Sequence, residues 1–198
     1  MKKILSLMMA AALMIGFTAC EKDDGGPGGD GNGGNIFQVG NKTYTIGAAC
    51  CYWDNEDGYV CYDLWFANKK FWDNEGYWIL PDEERANGFE INVYDLFVDD
   101  DTDTPGKIKD GTYTFNYDDD YGDLVHDGYS DYGFYDENGI FPEDWIEFGQ
   151  AYVDESNLVI EVKNISGNIY EIKATGGVDQ NGNAINIYYK GEVDMFED

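Results

Sequence analysis

The sequence predicts an all-β domain, an antiparallel meander closing into a β-barrel, with a two-sheet sandwich as the alternative. Three observations carry the prediction. Beyond residue 35, apolar and polar residues alternate over short runs separated by Gly, Asn and Asp, and no long stretch shows the 3.6-residue period of an amphipathic helix. Aromatic residues make up 16% of the chain, which suits half-buried strands and excludes a disordered acidic tail despite a net charge of −28. The C-terminal third runs from strand to neighbouring strand through short glycine-containing turns, and the long meander favours the barrel over the sandwich.

The first 35 residues lie apart from that domain. Lys2 and Lys3 precede an apolar run from Ile4 to Phe17, interrupted only by Ser6 and Gly16; Thr18, Ala19 and Cys20 follow. This is the order of an export signal, and the run is too short to span a bilayer. Residues 1–19 are therefore read as a signal peptide, 20–35 as a Gly-rich tether beginning at Cys20, and 36–198 as one all-β domain. As a flexible chain the tether reaches roughly 20 Å. Gly26, Gly28 and Gly31 in it match the spacing of a dinucleotide fingerprint, but no strand precedes them and no helix follows. Gly25-Gly26-x-Gly28-x-Asp30 begins like a calcium-binding nonapeptide, yet there is one copy and Asn32 stands where an apolar residue belongs.

A cysteine at the cleavage point, followed by Glu21-Lys22-Asp23-Asp24 and a glycine-rich run, resembles the start of Bacteroidota-type surface lipoproteins. The resemblance implies that Cys20 is lipidated and that the protein is anchored in the outer membrane, facing the extracellular side.

Along the domain, Ile36 to Val39 and Tyr44 to Ile46 flank Gly40-Asn41-Lys42 as a short hairpin. Tyr59 to Phe66 and Phe89 to Val98 read as strands; in the second, Phe89, Ile91, Val93, Asp95 and Phe97 share one face. Pro81 to Arg85 suits one helical turn, and Gly111 to Tyr117 another strand. Residues 118–144, dense in Asp, Gly and Tyr, read as a long loop with at most one short strand.

Asn181-Gly182 suggests a two-residue turn with both residues at positive φ, pairing Val178 with Ile185, Ala174 with Tyr189 and Ile172 with Gly191. A three-residue loop at Ile165-Ser166-Gly167 would pair Val162 with Tyr170, Ile160 with Ile172 and Leu158 with Ala174. One face is apolar throughout, and Ile146, Phe148 and Tyr152 extend it into a fourth strand. Tyr170 and Ile172 after Gly167, then Asp179-Gln180-Asn181-Gly182 and Tyr189-Lys190-Gly191, resemble the C-terminal hairpins of lipocalin-like lipoproteins of the same bacteria. The resemblance spans about 25 residues and implies a lipocalin-like fold rather than an activity.

Charge limits the partners. The leader carries two of the 12 basic residues and none of the 40 acidic ones, so the chain from Cys20 onward has a formal charge of about −30. Nucleic acid and bare anionic membrane are thereby disfavoured, because phosphate binding needs a basic face. If residues 54–58 connect two strands, Cys51 lies opposite Cys61 and a cross-strand disulfide is geometrically allowed; the alternative is free, half-buried thiols. The spacing of Cys50, Cys51 and Cys61 matches no zinc motif. His126 sits in Val-His-Asp-Gly with no serine in a nucleophile elbow, and reads as a surface histidine.

Two acidic runs offer calcium ligands: Asp99, Asp101 and Asp103 in one, Asp118 and Asp120 in the other. Neither has EF-hand spacing, and two solvated loops is the plainer reading. Aromatics crowd residues 52–78 and 129–141, interleaved with Asp and Asn. Trp72 and Trp78 are candidates to stack on sugar rings, with Asp73 and Asn74 taking hydroxyls. The sequence thus points to a non-enzymatic surface lipoprotein that binds an extracellular ligand such as a glycan. The alternatives are a structural or adhesive subunit contacting another surface protein and, less favoured, a glycoside hydrolase working through paired carboxylates.

Overall fold

Period-two alternation is written plainly into the strand Tyr59–Ala67: Val60, Tyr62, Leu64 and Phe66 are buried, while Tyr59, Cys61, Asp63 and Trp65 between them are half-buried. One face therefore turns to a core and the other outward. The computed structural model describes residues 34–56, 59–99, 106–116, 124–141 and 145–197. Its strands are β1 (Ile36–Val39), β2 (Lys42–Thr45), β3 (Ala48–Glu56), β4 (Tyr59–Ala67), β5 (Phe89–Asp99), β6 (Gly111–Phe115), β7 (Val125–His126), β8 (Ser130–Phe134), β9 (Ile146–Glu147), β10 (Val159–Ser166), β11 (Ile169–Val178) and β12 (Ala184–Glu197), with one helical turn, α1 (Asp82–Arg85), between β4 and β5.

The strands close into an eight-stranded barrel of lipocalin-like form, in the order β12, β3, β4, β5, β7, β6, β10, β11 and back to β12. Pairing is antiparallel except at β12–β3 and β6–β7, which are parallel. The β1–β2 hairpin adds to the first half of β12, and β8 and β9 add to the first half of β5.

The lumen is filled with side chains. Phe37, Tyr62, Phe66, Phe89, Tyr113 and Tyr170 are all at most 3% exposed and belong to one continuous core. Each buried hydroxyl has a partner, as burial requires. Tyr62 donates to Lys107 O at 2.6 Å, Tyr113 to Lys109 O at 2.9 Å, and Tyr170 accepts the Ile108 N–H at 3.2 Å. Three core tyrosines thus hold residues 107–109 against the core.

The meander β10–β11–β12 forms as expected, in a shifted register. Val162 pairs with Ile172 and Ile160 with Ala174; Ala174 pairs with Ile187 and Ile172 with Tyr189. Both shifts are of two residues, so the buried face is unchanged. Their cause lies in the turns. Asp179 closes a three-residue loop in which only Gly182 has positive φ (78°), which sets Val178 opposite Ala184, one residue off, and a bulge with Gly176 at φ 79° adds the second residue that returns the apolar side chains to one face. The fourth strand of that meander does not form: Ile146 and Glu147 pair with β8, and Tyr152 is exposed. The presumed long loop holds two strands, β7 and β8, not one at most.

β5 departs from simple alternation. Tyr62 pairs with Leu96 but Leu64 with Val93, so β5 carries one extra residue at a bulge, where Asp95 adopts φ 53°. Phe89, Ile91 and Val93 face the core before the bulge, and Leu96 and Val98 after it. Asp95 is thereby turned to the outer wall rather than sharing the core face with Phe89.

Candidate functional site

The outer wall over β4, β5 and β8 is unusual in being aromatic and acidic at once. β4 contributes Cys61, Asp63 and Trp65; β5 contributes Glu90, Asn92, Tyr94 and, at its bulge, Asp95; β8 contributes Asp131, which pairs with Asn92. Residues 68–81 fold back over the neighbouring wall, where Phe71 and Trp72 join Cys50, Ala67 and Tyr135 in a second apolar cluster outside the barrel. The tip of this segment is a tight turn: the Asp73 carboxylate accepts the N–H groups of Glu75 and Tyr77 at 2.8 and 3.0 Å, and Gly76 supplies φ 87°.

That turn brings Trp72 and Trp78 opposite each other and gives them different fates. Trp72 is 1% exposed and donates its indole N–H to Asp194 at 2.8 Å. It is a core residue and has no face left for a sugar, which corrects its expected stacking role. Trp78 is 38% exposed, with its ring 5.3 Å from Trp65. Trp65 in turn stands 6.1 Å from Tyr94, nearly perpendicular to it. The Tyr94 N–H donates to Tyr129 O, and Tyr129 packs edge-on against Tyr152 at 5.1 Å. Trp78, Trp65 and Tyr94 thus form a run of contacting rings, and the Tyr94 backbone joins this strip to the contacting pair Tyr129 and Tyr152, 40% and 44% exposed. Asp73 is engaged by its own turn and Asn74 is exposed, so of the four residues expected to contact ligand only Trp78 lies in the strip.

Beneath the rings lie polar groups in strained electrostatic surroundings. Asn92 is fully buried; its amide donates to Asp131 at 2.8 Å while its Oδ1 has no partner. Glu90 is 4% exposed with Oε1 likewise unpartnered, and burial pushes its carboxyl up to about 8 against the pull of Arg85. Burial also raises Asp131 to about 6, opposed by the Asn92 bond. At the bulge, the Asp63 carboxylate accepts the Asp95 N–H at 2.8 Å and the Cys61 thiol donates to Asp95 at 3.3 Å. Asp127 shares a hydrogen bond with Asp95, and burial followed by that bond lifts its carboxyl to about 8. Acids shifted toward neutrality in one patch are a mark of functional sites, though structural networks produce them too.

The donor atoms of Cys61, Asp63 and Asp95 lie within 4.8 Å of one another, close enough to share a cation. Burial first, and Asp95 and Asp63 next, hold the Cys61 thiol in its protonated form, and its proton serves Asp95. The cluster is thus knit by protons, a poor starting point for a thiolate ligand.

Other expectations are corrected or fall elsewhere. No disulfide joins Cys51 and Cys61: β3 and β4 pair as far as Glu56 and Tyr59, Cys51 pairs with Leu64 and Cys61 with Asp54, and Cys51 lies in the core while Cys61 faces Asp95 on the outer wall. His126 is fully buried rather than on the surface; its Nδ1 accepts the Gly128 N–H, its Nε2 donates to Leu158 O at 3.0 Å, and burial lowers its pKa. Cys20, Asp101, Asp103, Asp118 and Asp120 lie outside the described residues, as does the side chain of Asp99.

Asn92, Tyr94, Asp131 and Tyr152 were not singled out by sequence reasoning. The signal was there in part, since Glu90, Asn92 and Tyr94 alternate with Phe89, Ile91 and Val93, but Leu96 and Val98 appeared to continue the same outward row. Comparison with protein-family models, with curated proteins and with solved structures finds no match to this chain.

Proposed function

We propose that this protein is a non-enzymatic binding module, tethered to the outer membrane through lipidated Cys20 and facing the extracellular side, that takes a glycan on the outer wall of its barrel. The observation carrying the reading is the ring strip from Trp78 to Tyr152 with Asn92 and Asp131 beside it. Flat rings stack on the apolar faces of sugars, and carboxylate and carboxamide oxygens take hydroxyl protons. The filled lumen favours a ligand held outside the barrel rather than within it.

Calorimetric titration against a panel of soluble polysaccharides tests the reading. Binding should appear for at least one member and weaken at least tenfold, about 1.4 kcal/mol, in both Trp78→Ala and Tyr94→Ala. Retention of full affinity in both variants would remove the strip from the function. A second reading, a subunit contacting another surface protein, is favoured by Tyr77 and Ile79, which flank Trp78 at 67% and 57% exposure. A stoichiometric protein partner recovered without bound glycan would support it. Release of shorter saccharides during the titrations would instead place the protein among hydrolases.

A further inference from the structure

We propose that the strip selects for a protonated amine, so that the glycan it takes is an amino sugar polymer whose ammonium seats against Trp65 and Tyr94 with Asp131 and the Asn92 Oδ1 as acceptors. This rests on the glycan reading and sharpens it to a ligand class. Three features carry it.

First, an acceptor beside the rings lacks a donor. Asn92 Oδ1 is unpartnered on a fully buried residue that lies between Trp65 and Asp131 in the sheet, and its amide donates to Asp131. An ammonium offers three N–H donors and no acceptor, which matches this oxygen and the Asp131 carboxylate better than a hydroxyl, which brings both.

Second, the surroundings favour positive charge. Asp131 has Glu147 as its charged neighbour; Tyr94 has Asp131 and Asp63; Tyr152 has Glu147, Asp131 and Asp127. An anionic ligand would be repelled here, as by the protein as a whole.

Third, the chain already builds such a contact for itself at the other end of the same wall. The Arg85 guanidinium lies over the Tyr135 ring at 5.2 Å and is the cationic neighbour of Glu90. A cation on a ring face beside a carboxyl is favourable, more so when partly desolvated. At the Asp131 end the same ingredients recur, with Tyr94 and Trp65 as the rings and Asp131 as the carboxyl.

The test compares three β-1,4 hexasaccharides that differ in one substituent, glucosamine, N-acetylglucosamine and glucose, at about pH 6, where the glucosamine amine is protonated and Asp131 is partly ionised. The glucosamine hexamer should bind at least about tenfold tighter than the other two, and Asp131→Asn should erase that margin. Glu161→Gln, on the exposed wall of β10, should leave it intact, separating the site from bulk attraction to an acidic protein.

Tetramethylammonium, whose charge does not titrate, gives a second readout through tryptophan fluorescence. Its affinity should rise from about pH 5 to about pH 7, as Asp131 ionises and before Glu90 and Asp127, near 8, follow, and Asp131→Asn should flatten that rise. Equal affinity for the N-acetylated or neutral hexamer overturns the amine preference and leaves the glycan reading standing. A margin lowered equally by Glu161→Gln assigns it to bulk charge and also overturns the site. Binding by none of the hexamers overturns the amine proposal, while the polysaccharide panel judges the glycan reading separately.

Discussion

The outer wall of the β10–β12 meander and the outer wall over β4, β5 and β8 belong to one barrel, share one core and treat their acids in opposite ways. On the meander, Glu171 bonds Lys173 at 3.2 Å with Lys190 near by, and those contacts hold its carboxyl below the ordinary range. On the aromatic wall, burial raises Glu90, Asp127 and Asp131 toward neutrality. A wall needed only for solubility pairs its charges in water. The other wall covers its charges with rings, and keeping them there lowers stability when they ionise. Among the described residues, the acids lifted by burial all lie on this wall.

Four measurements would sharpen or break this contrast, beginning with the largest effect. Trp72→Ala removes a fully buried indole and its bond to Asp194, and should lower unfolding free energy by about 3–5 kcal/mol in denaturant titrations. Trp78→Ala, at the facing position, should lower it by less than about 1 kcal/mol. Similar losses at the two would dissolve the distinction between supporting and presenting rings.

Next is Asp179 in the meander turn. It is 1% exposed and accepts the Tyr132 hydroxyl and the N–H groups of Asn181 and Asn183, which outweigh burial and hold its carboxyl low. Asp179→Ala leaves those donors unsatisfied and should cost about 2–3 kcal/mol. A neutral result would show that the turn's own backbone suffices.

Third, Glu90 makes stability fall with rising pH. Its folded carboxyl sits at about 8 against an ordinary 4.5, so the folded state holds its proton more tightly than the unfolded state. The stability this gives is complete below about pH 4.5 and is lost as pH climbs through about 8. Glu90→Gln should leave melting unchanged near pH 4 and raise stability on the order of 1–2 kcal/mol near pH 9. No divergence between the two proteins at high pH would place Glu90 in better-solvated surroundings than its burial indicates. The smallest effect is expected at Lys173→Ala, under about 0.5 kcal/mol, because the lysine and its partner are solvated.

The same contrast explains what could be read in advance. On β10–β12 the apolar face was legible although the turns were wrong, because both register errors were of two residues and parity survived. On β5 a single inserted residue at Asp95 reversed parity, and alternation cannot announce a bulge before it happens. The outward row of Glu90, Asn92 and Tyr94 was therefore obscured by Leu96 and Val98 beyond it. Trp72 and Trp78 show another boundary. They face each other in one small turn, and the partners that draw Trp72 inward, Cys50, Tyr135 and Asp194, are all distant in sequence, Asp194 by 122 residues.

The seam of the barrel has a kinetic meaning. β12 holds β11 and β1 along its first half, then meets β3 in parallel along Val193 to Glu197. The wall between β3 and β11 therefore has no material until β12 arrives, and the pairing of Ala49 with Val193 spans most of the domain. Contacts so distant along the chain close slowly, because a large loop must be ordered before any of them forms. During synthesis β3 waits as an unpaired edge until residues 193–197 appear.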